Sequence, residues 1–265
     1  MRHNIWHRIA FSPWTRPFIL ILLILVLWDV TIRLFGIKPY LIPAPEAVVR
    51  QLVAEWPKLW RESLVTTYAT LGGFALSIAF GVPMALLIAY SRTVESFVYP
   101  LLVFSQSVPK IAIAPLFVVW FVFGMIPKVI CAFMLGFFPV VVSTVAGFKS
   151  VDADMIDLAR SMRATRLATF MRISLPQALP SLFAGLKVSV TLAVVGAVVG
   201  EFVGSNSGIG YLLQIANGNF DLPLMFAALT VLSGIGVLLF VAVDVVERLT
   251  IPWHASHRND FTATA

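Results

Sequence analysis

The sequence predicts an all-α integral membrane protein with six transmembrane helices, and three observations carry the prediction. Hydrophobic residues make up 59% of the 265 and charged residues only 12%, about half the charged fraction usual in soluble domains. Mean hydropathy is +0.92. The apolar residues also come in long runs, with no charged residue from Ser63 to Ser91 or from Leu222 to Val243. A soluble core of this size could not bury such runs, so lipid is the solvent they require. A water-soluble enzyme is thereby excluded.

A crossing helix needs about 20 apolar residues. The candidates are 17–36, 64–90, 97–124, 128–148, 180–204 and 223–247, within a membrane domain of 17–250 flanked by a segment 1–16 and a tail 251–265. The first follows Arg2, Arg8 and Arg16 as a signal peptide would. Asp29, Arg33 and Phe35 stand where a small-residue cleavage site would be needed, so it reads as a retained anchor. Between the first two spans, Val48, Val49, Leu52, Val53 and Trp56 recur at helical spacing. That pattern fits an amphipathic helix at the interface or one packed on the bundle. The third span carries Pro100, Pro109 and Pro115 around Lys110 and is expected to be kinked or partly unwound.

With the N-terminus inside, 12 of the 19 basic residues fall on or near the cytoplasmic side, which predicts both termini inside. The single cysteine, Cys131, excludes an internal disulfide and a cysteine-based metal cluster. His3, His7, His254 and His257 are all terminal, so no catalytic histidine cluster is expected.

The polar loop 149–179 is the informative segment. Asp152, Asp154 and Asp157 precede Arg160, Arg163 and Arg166, the charge order that complements a helix dipole. Met155, Leu158, Ala159 and Met162 stand at i, i+3, i+4 and i+7 and give that helix an apolar face. Lipid headgroups, the chain's own bundle and a groove on a cytoplasmic partner are all open to such a face.

At these residues the chain resembles the permease subunits of binding-protein-dependent ABC importers. Their signature runs Glu-Ala-Ala, three residues, Gly, nine residues, Ile-x-Leu-Pro. Here Asp157-Leu158-Ala159 takes the first place, Arg163 the glycine place, and Ile173-Ser174-Leu175-Pro176 matches at the same spacing. Ile42-Pro43-Ala44-Pro45, the run from Val108 to Leu116 with Trp120-Phe121, Gly200-Glu201-Phe202, Ser207-Gly208-Ile209-Gly210-Tyr211 and Pro252-Trp253 are similar to the nitrate, taurine and aliphatic sulfonate subgroup. Asp157, Leu158 and Arg163 depart from the pattern, and Arg163 makes costlier the left-handed turn that glycine would allow.

The resemblance implies a type I importer-like bundle in the bacterial inner membrane. It implies a second copy of the chain, two cytoplasmic ATPase subunits and an external binding protein as partners, with membrane lipid around them and no nucleic acid. The chain has no G-x-x-x-x-G-K-[ST] pattern, so it is expected to bind no cofactor and to act as a transport subunit, with ATP and Mg held by the partner ATPase. Asp152, Met155, Asp157, Leu158, Ala159, Arg160, Met162 and Arg163 are then the coupling residues, and the solute is a small anion such as a sulfonate, taurine or nitrate.

Two intramembrane groups complete the expectations. Gln106, Ser107, Lys110 and Glu201 are candidates for a translocation path, because ionisable residues in spans are costly to bury; Lys110 and Glu201 could instead neutralise each other. Gly196, Gly200 and Gly204 form a small-residue stripe for close helix packing, either within the chain or at a dimer or gate interface. A self-contained ion-coupled carrier or channel is the alternative function.

Overall fold

A computed structural model describes residues 15–38 and 40–253; the segment before Thr15, the tail after Trp253 and the four histidines lie outside the described residues. The described chain is helical throughout. In order come α1 (Thr15–Phe35), α2 (Pro45–Ala54), α3 (Trp56–Tyr90), α4 (Arg92–Ser107), α5 (Lys110–Phe121), α6 (Met125–Lys149), α7 (Ala153–Ser161), α8 (Arg166–Thr169), a π-helical turn (Phe170–Ser174), α9 (Leu175–Gly204), α10 (Ile209–Gly218) and α11 (Leu222–Thr250). Among the described residues, four helices are long and apolar enough to cross a membrane: α3, α6, α11 and the continuous run Arg166–Gly204. The bent pair α4–α5 makes a fifth if counted as one crossing. Of the six expected spans, the first corresponds to α1, whose 21 residues suffice by length.

The chain divides into two compact units. One holds the described residues of Met1–Trp60 with Leu212–Thr230; the other holds Arg61–Tyr211 with those of Val231–Ala265. In the first, Trp28 meets Phe226 with ring centroids 5.6 Å apart, and Arg33 pairs with Asp29 at 2.7 Å. Helix α2 starts on Pro45, where the missing N–H costs nothing. It buries Val48 and leaves Val49 and Val53 exposed.

The second unit is organised by α6 against α9. Small residues from both helices set their approach. A Cβ at Gly136 would meet Ser189 Oγ at 2.9 Å, and one at Gly185 would meet Ser143 Cβ at 2.5 Å. Ala69 of α3 joins Ala132, Ala193 and Ala197 in one fully buried cluster. At one end, Lys187 of α9 reaches both Asp244 and Glu247 of α11 at 2.5 Å, while Arg248 holds Asp244 at 2.8 Å. The short-range pairing of Asp244 with Arg248 is legible from their spacing; the long-range partner Lys187 is not.

Prolines decide where the third span breaks. The expected kink is a 91° bend between α4 and α5. Val108 is extended at ψ 124°, as the residue before Pro109 must be, and Pro109 continues the extended stretch at ψ 92°. Pro100 and Pro115 stay inside α4 and α5.

Candidate functional site

The loop 149–179 folds into a short helix, a tight reversal and a re-entry into α9. Asp152 caps α7 by accepting the Asp154 N–H at 2.9 Å, which satisfies a donor the helix start would otherwise leave open. Arg160 donates to Asp157 at 3.0 Å one turn back. The far end is a Schellman motif: the Arg163 N–H donates to Arg160 O at 2.9 Å and the Ala164 N–H to Ala159 O at 3.0 Å. Arg163 is left-handed at φ 58°, so the conformation expected of glycine is kept despite the Cβ, at a cost of about 1–3 kcal/mol.

After the reversal, Thr165 caps α8 by accepting the Ala168 N–H at 3.2 Å. The π turn Phe170–Ser174 follows and runs directly into α9, whose second residue is Pro176. Pro176 has no N–H to give the preceding turn, and a widened turn accommodates it. The Ile173-Ser174-Leu175-Pro176 signature is thus the junction from loop to span.

The apolar face of α7 divides in two. Met155, Leu158 and Met162 are exposed, Met162 by 76%, whereas Ala159 is buried at 8%. The expectation that Ala159 shares the outward face is corrected: helix spacing places it near Leu158, but the reversal carries Ala164 back over it through the Ala164–Ala159 hydrogen bond.

The expected path residues do not gather. Gln106 and Ser107 end α4 exposed, and Lys110 starts α5 half-buried. No ion pair joins Lys110 to Glu201 among the described residues, which corrects the neutralising pair. Glu201 is 0% exposed and belongs to a cluster the sequence did not reveal. Its Oε1 accepts from the Thr66 hydroxyl at 2.9 Å and its Oε2 from the Gly210 N–H at 2.7 Å. Thr66 in turn accepts the Ile209 N–H at 2.8 Å, and Glu62 accepts the Gly208 N–H at 2.7 Å. Lys128, 2% exposed, donates to the Ser207 carbonyl at 2.8 Å and its charge acts on both carboxylates.

Three consecutive N–H groups of the Gly208–Gly210 turn are therefore held by α3 and α9, with the cation supplied by α6. Gly208 sits at φ 105° against Glu201, where no side chain would fit. Buried charges are costly unless compensated; here both carboxylates accept hydrogen bonds and the Lys128 ammonium donates to Ser207. A usable signal existed in Glu62 and Thr66 at i, i+4 and in Glu201 nine residues before Gly210.

The glycine stripe packs within the chain. A Cβ at Gly196 would lie 2.5 Å from Cys131 O, one at Gly200 2.7 Å from Lys128 Cα, and one at Gly204 2.5 Å from Val118 Cγ1. Among the described residues, no group of three or more His, Cys, Asp or Glu could hold a metal.

Residues 77–252 match the family described as binding-protein-dependent transport system inner membrane component. The chain is 40% identical over 238 residues to the formylaminopyrimidine transport permease protein ThiX of Halalkalibacterium halodurans, covering 89% of this chain and 95% of that one. It is 36% identical to the riboflavin transport system permease protein RibX of Chloroflexus aurantiacus, covering 89% of each. With the taurine transport system permease protein TauC of Escherichia coli it shares 28% identity, covering 87% and 86%. The inward-facing MetNI methionine ABC transporter superposes with a TM-score of 0.63 at 19% identity, over 74% of this chain and 97% of that one. The chain belongs to the binding-protein-dependent inner-membrane component family and is a multi-pass permease subunit of an ABC importer.

Proposed function

We propose that two copies of this chain form the membrane path of an ATP-driven importer, with six spans per copy and both termini cytoplasmic. Each copy presents α7 to a cytoplasmic ATPase subunit, and an external binding protein delivers the solute. The observation that carries the docking is the exposure of Met155, Leu158 and Met162 on a capped helix; such a face wants a groove. Asp152, Asp157, Arg160 and Arg163 supply the polar rim, and Ala159 holds the helix to its own loop. ATP and Mg belong to the ATPase. Nucleotide binding there closes the ATPase pair, moves the two α7 helices together and switches the attached spans between inward- and outward-facing packings.

For the solute, a small nitrogen heteroaromatic ranks ahead of the sulfonate-type anion that the motifs imply. Relatives named for formylaminopyrimidine and riboflavin stand at 40% and 36% identity, against 28% for the one named for taurine. Lys110, at the start of α5, is the cationic residue proposed for the path, beside Gln106 and Ser107. Proteoliposomes holding the chain, its ATPase and its binding protein should take up solute only with ATP, and Lys110→Met should weaken uptake of an anion while sparing a neutral heteroaromatic. Uptake by the chain alone on an ion gradient would overturn the reading in favour of a carrier.

A further inference from the structure

A cavity of about 470 Å³ opens beside α7, lined by Tyr90, Ile156, Arg160, Arg166, Thr169 and Phe170 among others. Two of its lining residues, Tyr90 and Phe170, belong to an aromatic wall that Phe148 completes. Phe170 stacks on Phe148 with centroids 5.8 Å apart, and Tyr90 meets Phe170 at 6.1 Å and Phe148 at 6.0 Å. Tyr90 is the last residue of α3 and Phe148 the last but one of α6, so the wall marks where two membrane-crossing helices end. Two arginines, Arg160 and Arg166, line the same cavity. Arg160 shares Asp157, and Arg166 has no ion-pair partner among the described residues. Leu167 and Met171, one turn apart on the segment that carries Arg166, are exposed.

We propose that this cavity binds the phosphate of an anionic phospholipid headgroup. A guanidinium presents a planar fork of N–H donors that fits phosphate oxygens in pairs. Aromatic side chains at the ends of spanning helices lie at headgroup depth, and basic pockets between such helices hold anionic headgroups. Free phosphate offers the same anionic chemistry, but it would leave the exposed Leu167 and Met171 without a role, whereas acyl chains would cover them. The inference rests on the membrane-spanning reading of the fold, and its test uses no ATPase readout and no solute.

The test is lipid retention by the full chain in mild detergent, read by native mass spectrometry after exchange into phosphatidylglycerol or phosphatidylcholine. The wild type should keep a phosphatidylglycerol and not a phosphatidylcholine. Arg166→Gln should lower that retention about tenfold, Thr169→Val should lower it less, and Arg92→Gln, outside the cavity, should leave it unchanged. Should Arg166→Gln fold poorly, the comparison of Thr169→Val with Arg92→Gln still decides. Equal retention of phosphatidylglycerol by wild type and the cavity variants overturns the proposal. So does calorimetric binding of inorganic phosphate that Arg166→Gln abolishes, if it comes without selective lipid retention.

Discussion

The loop around α7 and the buried cluster around Glu201 are both rich in charge, yet they are built in opposite ways. Every hydrogen bond that shapes α7 and its reversal spans at most five residues, from the Asp152 cap to the Ala164–Ala159 closure. The cluster joins residues far apart: Thr66 lies 135 residues from Glu201, and Gly208 lies 146 from Glu62. In the loop the charged groups are exposed and their pairs contribute little to stability. In the cluster they are enclosed, so losing one partner strands the others without water. Local encoding gives a handle that can be presented to a partner. Long-range encoding gives a lock that holds three helices and a turn in register.

The sharpest way to break that contrast is to remove the carboxylate at the centre of the lock. Glu201→Ala leaves Lys128, Thr66 and the Gly210 N–H short of an acceptor or a counter-charge. It should cost about 3–5 kcal/mol, seen as loss of folded protein in detergent thermal-unfolding assays, with Glu201→Gln milder because the amide oxygen still accepts. A Glu201→Ala protein with unchanged thermal stability would show that the cluster is not a lock. Next in size is Gly196→Val, which drives a side chain into the Cys131 backbone of α6. Overpacking of this kind costs about 1–3 kcal/mol, measurable in the same assay; a neutral result would mean that α6 and α9 can part without penalty.

The loop should respond differently. Arg163→Gly relieves a left-handed Cβ and should stabilise the protein by about 1 kcal/mol, read as slower proteolysis within 149–179. Faster cleavage would mean that the arginine side chain contributes more than its strained backbone costs. Leu158→Asp, on the exposed face of α7, should shift the fold by less than about 0.5 kcal/mol, yet abolish ATPase stimulation by loaded binding protein. Retained stimulation in that variant would remove α7 as the docking element.

The same division decides how far the sequence could be read. Charge-free runs located α3 and α11, and long charge-poor apolar runs located α6 and α9, because such stretches have no alternative to lipid or protein burial. The dipole order and signature spacing of α7 were legible because helix ends are specified by neighbours in the chain. The stripe Gly196, Gly200 and Gly204 announced close packing but not its partner, which is α6 and Val118 of the same chain. Glu201 and Lys110 attracted attention as intramembrane charges, and pairing them with each other failed because their true neighbours are set by which helices touch. Lys128, near the start of α6, is buried and donates to the Ser207 carbonyl, a partner no local pattern shows.

By itself the sequence determined that this chain lives in a membrane as helices, where prolines could bend it, and that an amphipathic helix interrupts the spans. Each of these follows from hydropathy, backbone stereochemistry or hydrogen bonds between near neighbours. Only the tertiary structure decided that the bend amounts to 91° between α4 and α5, that Ala159 turns inward while Met162 faces out, and that Glu62, Thr66, Lys128 and Glu201 close on one turn. Those outcomes depend on which helices come within van der Waals reach. A side chain's neighbours across a helix interface are fixed by the packing of small residues from distant parts of the chain, which no local pattern records.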